Sequence, residues 1–360
     1  MTVCCRNAIA GLDRGKCSNA GLLLSRYLRV PVNQQGDEHN KERKELFDIA
    51  AHALKNPEVI GAYRQAFHRR KRWIETSAAQ TVSALFETKG RMIIGLGGEN
   101  VLETGLTLEH AYGVPIIPGS ALKGLAAHYC TQTWGEREKG FDVSTRGKKG
   151  KVAGEFAKIL FGDNDESGFI AFHDAWLTPE SLKKQNFGLK QDVMTPHHGE
   201  YYSGNAAPTD FDDPNPVHFL SVTGQFSLAL SCEDTGETGL EWAKLAFQLI
   251  REALEDRGIG GKTSSGYGRM KLLGEPSFFR GDGFIPSEGV ASTIKPIEVT
   301  LASINKKGNP QFRAKDKGVR CVFLPGETIE PEMQKGETRT FWLIENRAEE
   351  EYVISSKKPS

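Results

Sequence analysis

The chain has 360 residues, with 46 lysines and arginines against 46 aspartates and glutamates, so its formal charge is zero. That length can bury a sizeable core and predicts one large domain with an appendage, or two domains, while the neutral balance excludes a global pull on nucleic acid and leaves any polyanion to local patches. Six scattered cysteines without a CxxC pair or zinc spacing, no export signal at the amino terminus and no apolar run near the ~20 residues of a membrane span predict a reduced, cytoplasmic protein with no membrane partner.

Residues 1–36 are mixed, with a strand-like apolar run from Ala20 to Val30. From Lys41 to Trp73 the pattern is helical: Leu46, Ile49, Ala50 and Ala53 recur at helical spacing, and Asn56-Pro57 reads as a cap with proline in the first turn of a second helix. That helix ends in Arg64, His68, Arg69, Arg70, Lys71 and Arg72, which is either a solvated face or a surface that tracks phosphates. Val82–Thr88 and Arg91–Leu96 alternate around Gly90 and predict a hairpin. The following GLGGEN has Asn100 where a dinucleotide fingerprint needs its third glycine. Val114 to Pro118 is extended by its prolines, and Gly119 or Ser120 caps a helix carrying Lys123.

Residues 135–154 are polar and glycine-dotted and predict a mobile loop with Arg146, Lys148, Lys149 and Lys151. A short helix from Glu155 stops at Gly162, and Gly168 to Trp176 reads as a strand. Residues 194–216, with His197, His198, Tyr201, Tyr202, Asp210, Asp212 and Asp213 among four prolines, form an ordered surface insertion. Val217 to Cys232 predicts a strand or hairpin, and Leu240 to Asp256 an amphipathic helix. The texture changes near 275. Residues 276–290 read as a linker, and 291–360 as short β-runs of the size of a small oligonucleotide-binding or Src-homology-3 barrel, with Lys306, Lys307, Arg313, Lys315, Lys317 and Arg320 in its first half.

The densest signal is Gly258 to Gly268, GIGGKTSSGYG. A Walker loop needs glycine at 256, where Asp256 stands, and runs strand, loop, helix; here a helix enters and a strand leaves. No nucleotide cofactor is therefore expected. The loop is either a turn shaped for packing or a cradle in which the amides of Gly260, Gly261 and Gly266, the hydroxyls of Thr263, Ser264 and Ser265 and the charge of Lys262 meet a phosphate backbone, with Arg269 just beyond.

Gly95-Leu-Gly-Gly98, Pro115-Ile-Ile-Pro-Gly-Ser-Ala-Leu-Lys-Gly124 and Gly258 to Arg269, in that order, resemble the RAMP superfamily of CRISPR effector complexes. Leu160-Phe-Gly162, Asp174-Ala175 and Asp192-Val-Met-Thr-Pro-His-His198 make the resemblance closest to the sixth-subunit family of the type III-B Cmr complexes, over about residues 18–275. The resemblance implies an α+β fold: a ferredoxin-like, RNA-recognition-motif-like core over 1–275 with helical (41–73) and loop (135–154, 194–216) insertions. The small β-barrel-like extension lies outside the pattern. It implies a non-catalytic backbone subunit capping the filament toward the 3′ end of the guide RNA, with target RNA and the other Cmr backbone and small subunits as partners. Target cutting is then the work of a neighbouring subunit. The RNA-binding residues expected are the glycine loop with Lys262 and Arg269, then Ser120 and Lys123 at a helix start, then Arg69, Arg70 and Arg72.

Two enzymatic readings compete. Ser120-Ala-Leu-Lys123, Ser203-Gly-Asn205 and Lys262-Thr-Ser264 imitate the penicillin-binding motifs in order, two of them imperfectly. His197, His198 and Asp210, Asp212 and Asp213, or Asp163, Asp165 and Glu166, could gather a metal for a nuclease, without a recognised ligand spacing. No metal is expected.

Overall fold

The computed structural model describes residues 11–29, 37–77, 79–97, 102, 104–143, 145–147, 150–195, 204, 207, 216–234, 236–280, 283–285, 296–304, 310–315, 318–323, 334–347 and 351–355. By its internal packing the chain divides into Met1–Ile285 and Pro286–Ser360.

The first unit opens with three helices, α1 (Ala20–Arg26), α2 (Asp37–Ala53) and α3 (Pro57–Glu75). α1 replaces the expected strand. The Asn19 side chain accepts the Leu22 amide, and Ala20, Leu23 and Leu24 then fall on one buried face. α3 starts as its sequence requires, with Asn56 capping Glu58 and Pro57 in the first turn, and buries Ile60, Tyr63, Phe67 and Ile74.

There follow β1 (Gln80–Thr88), β2 (Ile116–Ile117), α4 (Gly119–Tyr129), α5 (Glu155–Phe161), β3 (Ile170–Phe172), β4 (Ala175–Leu177), α6 (Pro179–Lys183), β5 (Gly188–Met194), β6 (Val217–Thr223), β7 (Gln225–Cys232), α7 (Glu237–Asp256), β8 (Met270–Arg280) and β9 (Gly283–Ile285). One antiparallel sheet runs β9-β8-β1-β7-β4-β2, with β3 also pairing β7. Its central strands thus lie in the order fourth, first, third, second, each half containing one long connection with a helix, α4 or α7. β5 and β6 form a separate hairpin.

α7 is held by its apolar stripe of Ala243, Ala246, Phe247, Ile250, Ala253 and Leu254, all buried, with Phe247 against Phe86 of β1. Phe86 is registered with Phe226, and Phe226 with Leu177, so these share the α7 face of the sheet. Trp176, next along β4, points the other way and stacks on Tyr63 of α3, with centroids 5.7 Å apart. The Tyr63 hydroxyl donates to the Leu177 carbonyl at 2.6 Å. α3 therefore covers the β3, β4 and β7 side of the second face, while Leu85 of β1 remains 37% exposed there.

Several sequence expectations change. Arg91–Leu96 is no hairpin partner of β1: Met92 bridges Val222 of β6, and the carbonyls of Arg91 and Ile93 accept from the glycine loop. The strand expected over Gly168–Trp176 breaks at His173-Asp174. Residues 135–154, expected mobile, contain short helical turns and a small hairpin over Thr145–Gly147 and Gly150–Val152. The expected linker 276–290 begins as strand, because β8 resumes its pairing with β1 at Ser277 after an irregularity over 274–276 and runs to Arg280. Most of 194–216 lies outside the described residues.

In the second unit, β10 (Pro296–Ile304) pairs β11 (Pro310–Ala314) and β13 (Thr338–Arg347), β11 pairs β12 (Arg320–Phe323), and β14 (Glu351–Ser355) pairs β12 and β13. The pairings close into a ring. Val299, Leu301, Phe312, Phe341 and Ile354 are buried in its core. Arg313, Lys315 and Arg320 are exposed; Lys315 pairs Glu298 at 2.6 Å, and Lys306, Lys307 and Lys317 lie outside the described residues.

Candidate nucleic-acid interface

α7 ends where Gly258, at φ 76, lets its amide turn back to the Ala253 carbonyl. The loop then closes on itself and on 91–96. A Cβ on Gly260 would lie 2.0 Å from the Ile93 carbonyl oxygen, and one on Gly268 would lie 1.9 Å from that of Ile259. Gly261 donates its amide to Ile93 at 2.8 Å, and its Cβ would press on Leu96. Four of the five glycines thus serve backbone packing, and only Gly266, at φ 87, has open space beside it.

Lys262 is left-handed, φ 57 and ψ 33, the one non-glycine residue with positive φ among the described residues. A tight turn over Thr263–Ser265 follows, closed by Ser265 and Tyr267 donating to the Lys262 carbonyl and Gly266 to that of Thr263. Among the described residues no hydrogen bond takes the amides of Lys262, Thr263 and Ser264. A left-handed residue followed by right-handed ones brings successive amides toward one point, the geometry of an anion nest. Ser264, Ser265 and Gly266 are exposed, and Lys262 and Thr263 half-buried. Arg269 is exposed at the mouth of β8.

A residue 75 positions away fixes this turn. Asp192 of β5 accepts from the Tyr267 hydroxyl at 2.6 Å and pairs with Arg91 at 2.7 Å. Burial and the neighbouring carboxylate push the Tyr267 hydroxyl up to about 12. Burial raises the Asp192 carboxyl, but its bonds from Tyr267, the Val193 amide and Arg91 together hold it below the usual range. Neither Asp192 nor Arg91 stands out as a site residue in the sequence; the tyrosine inside the glycine loop is the available signal.

α4 presents a different start. Its cap is Pro118, not Gly119 or Ser120, and the Gly119 amide is taken by Asp174 Oδ1 at 2.7 Å. A Cβ on Gly119 would lie 1.9 Å from the Phe172 carbonyl oxygen, which explains that glycine without a ligand. Ser120 is exposed and Lys123 half-buried. α4 runs antiparallel to α7, since Tyr129 bonds Asp256 and Trp134, further on, bonds the earlier Glu252. The start of α4 and the glycine loop accordingly lie toward the same end of the helical layer.

The corner His173-Asp174 also receives α3. Arg70 donates to the Asp174 carbonyl and lies 5.4 Å from the Trp176 ring centre. Burial pulls its guanidinium down to about 10, against the favourable charge of Asp174. Arg70, expected among the RNA-binding residues, is thus engaged within the fold by Asp174 and Trp176. Arg69, 3.5 Å from the Tyr112 hydroxyl, and Arg72 keep exposed side chains. Trp73, unremarkable in the sequence, is 54% exposed and stands perpendicular to His173.

The match to the RAMP superfamily runs over residues 85–271, just over half of the chain. The chain belongs to the RAMP superfamily. This RAMP protein is 31% identical over 237 residues to the CRISPR system Cmr subunit Cmr6 of Pyrococcus furiosus, covering 54% of this chain and 68% of that one. It is 24% identical over 241 residues to the Cmr6 of Saccharolobus solfataricus, covering 64% and 73%. A chain in the cryo-EM structure of the type III-B Cmr-beta bound to cognate target RNA shares its fold, with TM-score 0.51 and 20% identity over 70% of this chain and 80% of that one. Within the superfamily the protein stands close to Cmr6.

The matched range takes in the glycine loop, the start of α4 and Asp192, and leaves out α3 and the carboxyl unit. Among the described residues no three His, Cys, Asp or Glu side chains gather to hold a metal. Asp163 is engaged by Lys158 at 2.7 Å and by the amides of Asp165 and Glu166, while His197, His198, Asp210, Asp212 and Asp213, like Ser203 and Asn205, lie outside the described residues. No described helix is long and apolar enough to cross a membrane.

Proposed function

We propose that this RAMP protein is a guide-RNA-binding subunit of a type III-B CRISPR effector complex, acting in antiviral RNA targeting in the cytoplasm and capping the backbone on the side of the guide's 3′ end. It grips sugar and phosphate and cuts nothing itself. Target cleavage belongs to a neighbouring subunit, and its partners are the guide, the target RNA and the other Cmr backbone and small subunits. The likeness to Cmr6 supports the assembly, and the sheet order fourth, first, third, second supports a ferredoxin-like core. The strand ring of the second unit supports a barrel of oligonucleotide-binding or Src-homology-3 size.

The observation that carries the RNA contact is the nest at Lys262, Thr263 and Ser264, its amides unclaimed and its hydroxyls at the surface. Main-chain amides read phosphate oxygens and not bases, which suits a guide whose sequence differs from one complex to the next. Ser120 and Lys123 at the same end, and Arg69 and Arg72, extend the track. Lys262→Ala combined with Lys123→Ala is expected to weaken guide binding equally for unrelated guide sequences. It should also flatten the salt dependence, by about 0.7 in log–log slope for each phosphate that is no longer neutralised. Filter-binding titrations over a salt series measure both. Full RNA retention by the double variant would overturn the assignment.

A further inference from the structure

Trp73 closes the basic end of α3 with 54% of its surface open to solvent. Such a position leaves the largest apolar side chain half unburied, although an inward-facing site is available one residue on, where Ile74 is 2% exposed. The ring meets His173 at 5.2 Å and 89°, a contact that uses one side of the indole. His173 is itself fixed: its Nε2 is 2.8 Å from Ser231 Oγ, and burial, then the charge of Arg70, lower its proton affinity below that of an ordinary histidine. Beneath the tryptophan, Arg70 ties the helix end to Asp174 and Trp176. Trp73 is therefore mounted on a rigid corner.

Along α3 the charge beside it is mainly positive, and the Asp174 carboxylate of the adjoining corner is held by the Gly119 amide. Arg69 is one turn before Trp73 and Arg72 adjoins it, both exposed, and the sole carboxylate from Arg64 to Thr76, Glu75, pairs with Lys71 at 3.7 Å. The same corner abuts the start of α4, since the His173 carbonyl carbon lies 3.2 Å from where a Cβ on Gly119 would be. A strand whose phosphates pass the first turn of α4 would thus have a base beside Trp73.

We propose that Trp73 is a stacking platform for one base of a single-stranded RNA, with Arg69 and Arg72 on the flanking phosphates. The proposal rests on the RNA-binding reading above and adds to it an interaction that phosphate-gripping amides cannot make. Every base has a π-face, so stacking holds a nucleotide without choosing its letter, and a duplex, whose bases face one another, cannot use it. A protein partner would also cover an exposed tryptophan, but the exposed positive charge of Arg69 and Arg72 beside it favours a polyanion.

The test uses the full chain, a labelled single-stranded RNA of mixed sequence, and an abasic RNA of equal length that has the same phosphates without bases. Trp73→Leu keeps apolar packing and removes the π-face; Trp73→Phe keeps a smaller one. The expected result is about 10-fold weaker binding of the base-bearing RNA by Trp73→Leu, most of the affinity retained by Trp73→Phe, and equal abasic binding by all three proteins. RNA should also quench a component of the indole fluorescence that is absent in Trp73→Phe. Unchanged affinity in Trp73→Leu, or an equal loss on both RNAs, overturns the platform while leaving the phosphate reading standing. Failure of the wild-type protein to bind either RNA would remove the phosphate reading, and the platform with it.

Discussion

In the loop after α7, four of five glycines are consumed by close approaches to Ile93, the Leu96 side chain and the loop itself, and the amides of a lysine and two hydroxyl residues are among those left without a bond. At the end of α3, one of three arginines is consumed in the same manner, folded onto Asp174 and Trp176, and two remain outside. Both regions look like surplus in the sequence, of flexibility in one and of charge in the other. In both, part of the surplus is scaffold, and the scaffold residues are what hold the remainder in one geometry. Abundance of a residue type therefore marks the region, and the partner of each residue decides which members face a ligand.

Variants can break this division. The largest effect is expected at the scaffold glycines. Gly260→Ala would drive a methyl to within 2.0 Å of a carbonyl at φ +92, and should cost about 3 kcal/mol or more, whereas Gly266→Ala, also at positive φ but in open space, should cost about 1 kcal/mol. Thermal melts of the two proteins compare them, and equal losses would remove the distinction between the packing glycines and Gly266. Next come the arginines. Arg70→Met should lose about 2 kcal/mol with its charged hydrogen bond, while Arg72→Met should stay within about 0.5 kcal/mol of wild type in denaturant melts and lose RNA affinity instead.

The smallest effect sharpens the comparison by pH. Because the Asp192 carboxyl is lowered in the folded protein, its contribution is fully present above the unfolded carboxylate value of about 4 and is lost as the pH falls through the folded value. Tyr267→Phe should cost about 1 kcal/mol near neutrality. Asp192→Asn should remove this group's share of the acid sensitivity, which denaturant melts from neutral pH to below 4 would detect.

What can be read from the sequence are features with local causes. Asn56-Pro57 starts α3, Gly162 stops α5, and the helical stripe of α7 predicts its buried face. The features that escape it are decided at a distance. The apolar run at Ala20 is helical because Asn19 caps it, Arg91–Leu96 is claimed by the glycine loop and β6, and Pro276 does not end β8 because β1 supplies a neighbour as far as Phe279. Within the site, Lys262 and its hydroxyl neighbours are legible as a cluster. Asp192 is hidden by sequence separation, and Trp73 by sitting at a helical spacing that ordinarily denotes core.

The stacking of Trp176 on Tyr63 has a topographic consequence. With α3 laid across the β3, β4 and β7 side of the sheet, the proposed RNA would find no broad floor there on which to spread its bases, and its proposed course is along the rim, past loop and helix ends. A strand held there by sugars and phosphates, or by the flat side of a base on an indole, keeps its Watson–Crick edges turned outward, where a complementary strand can reach them.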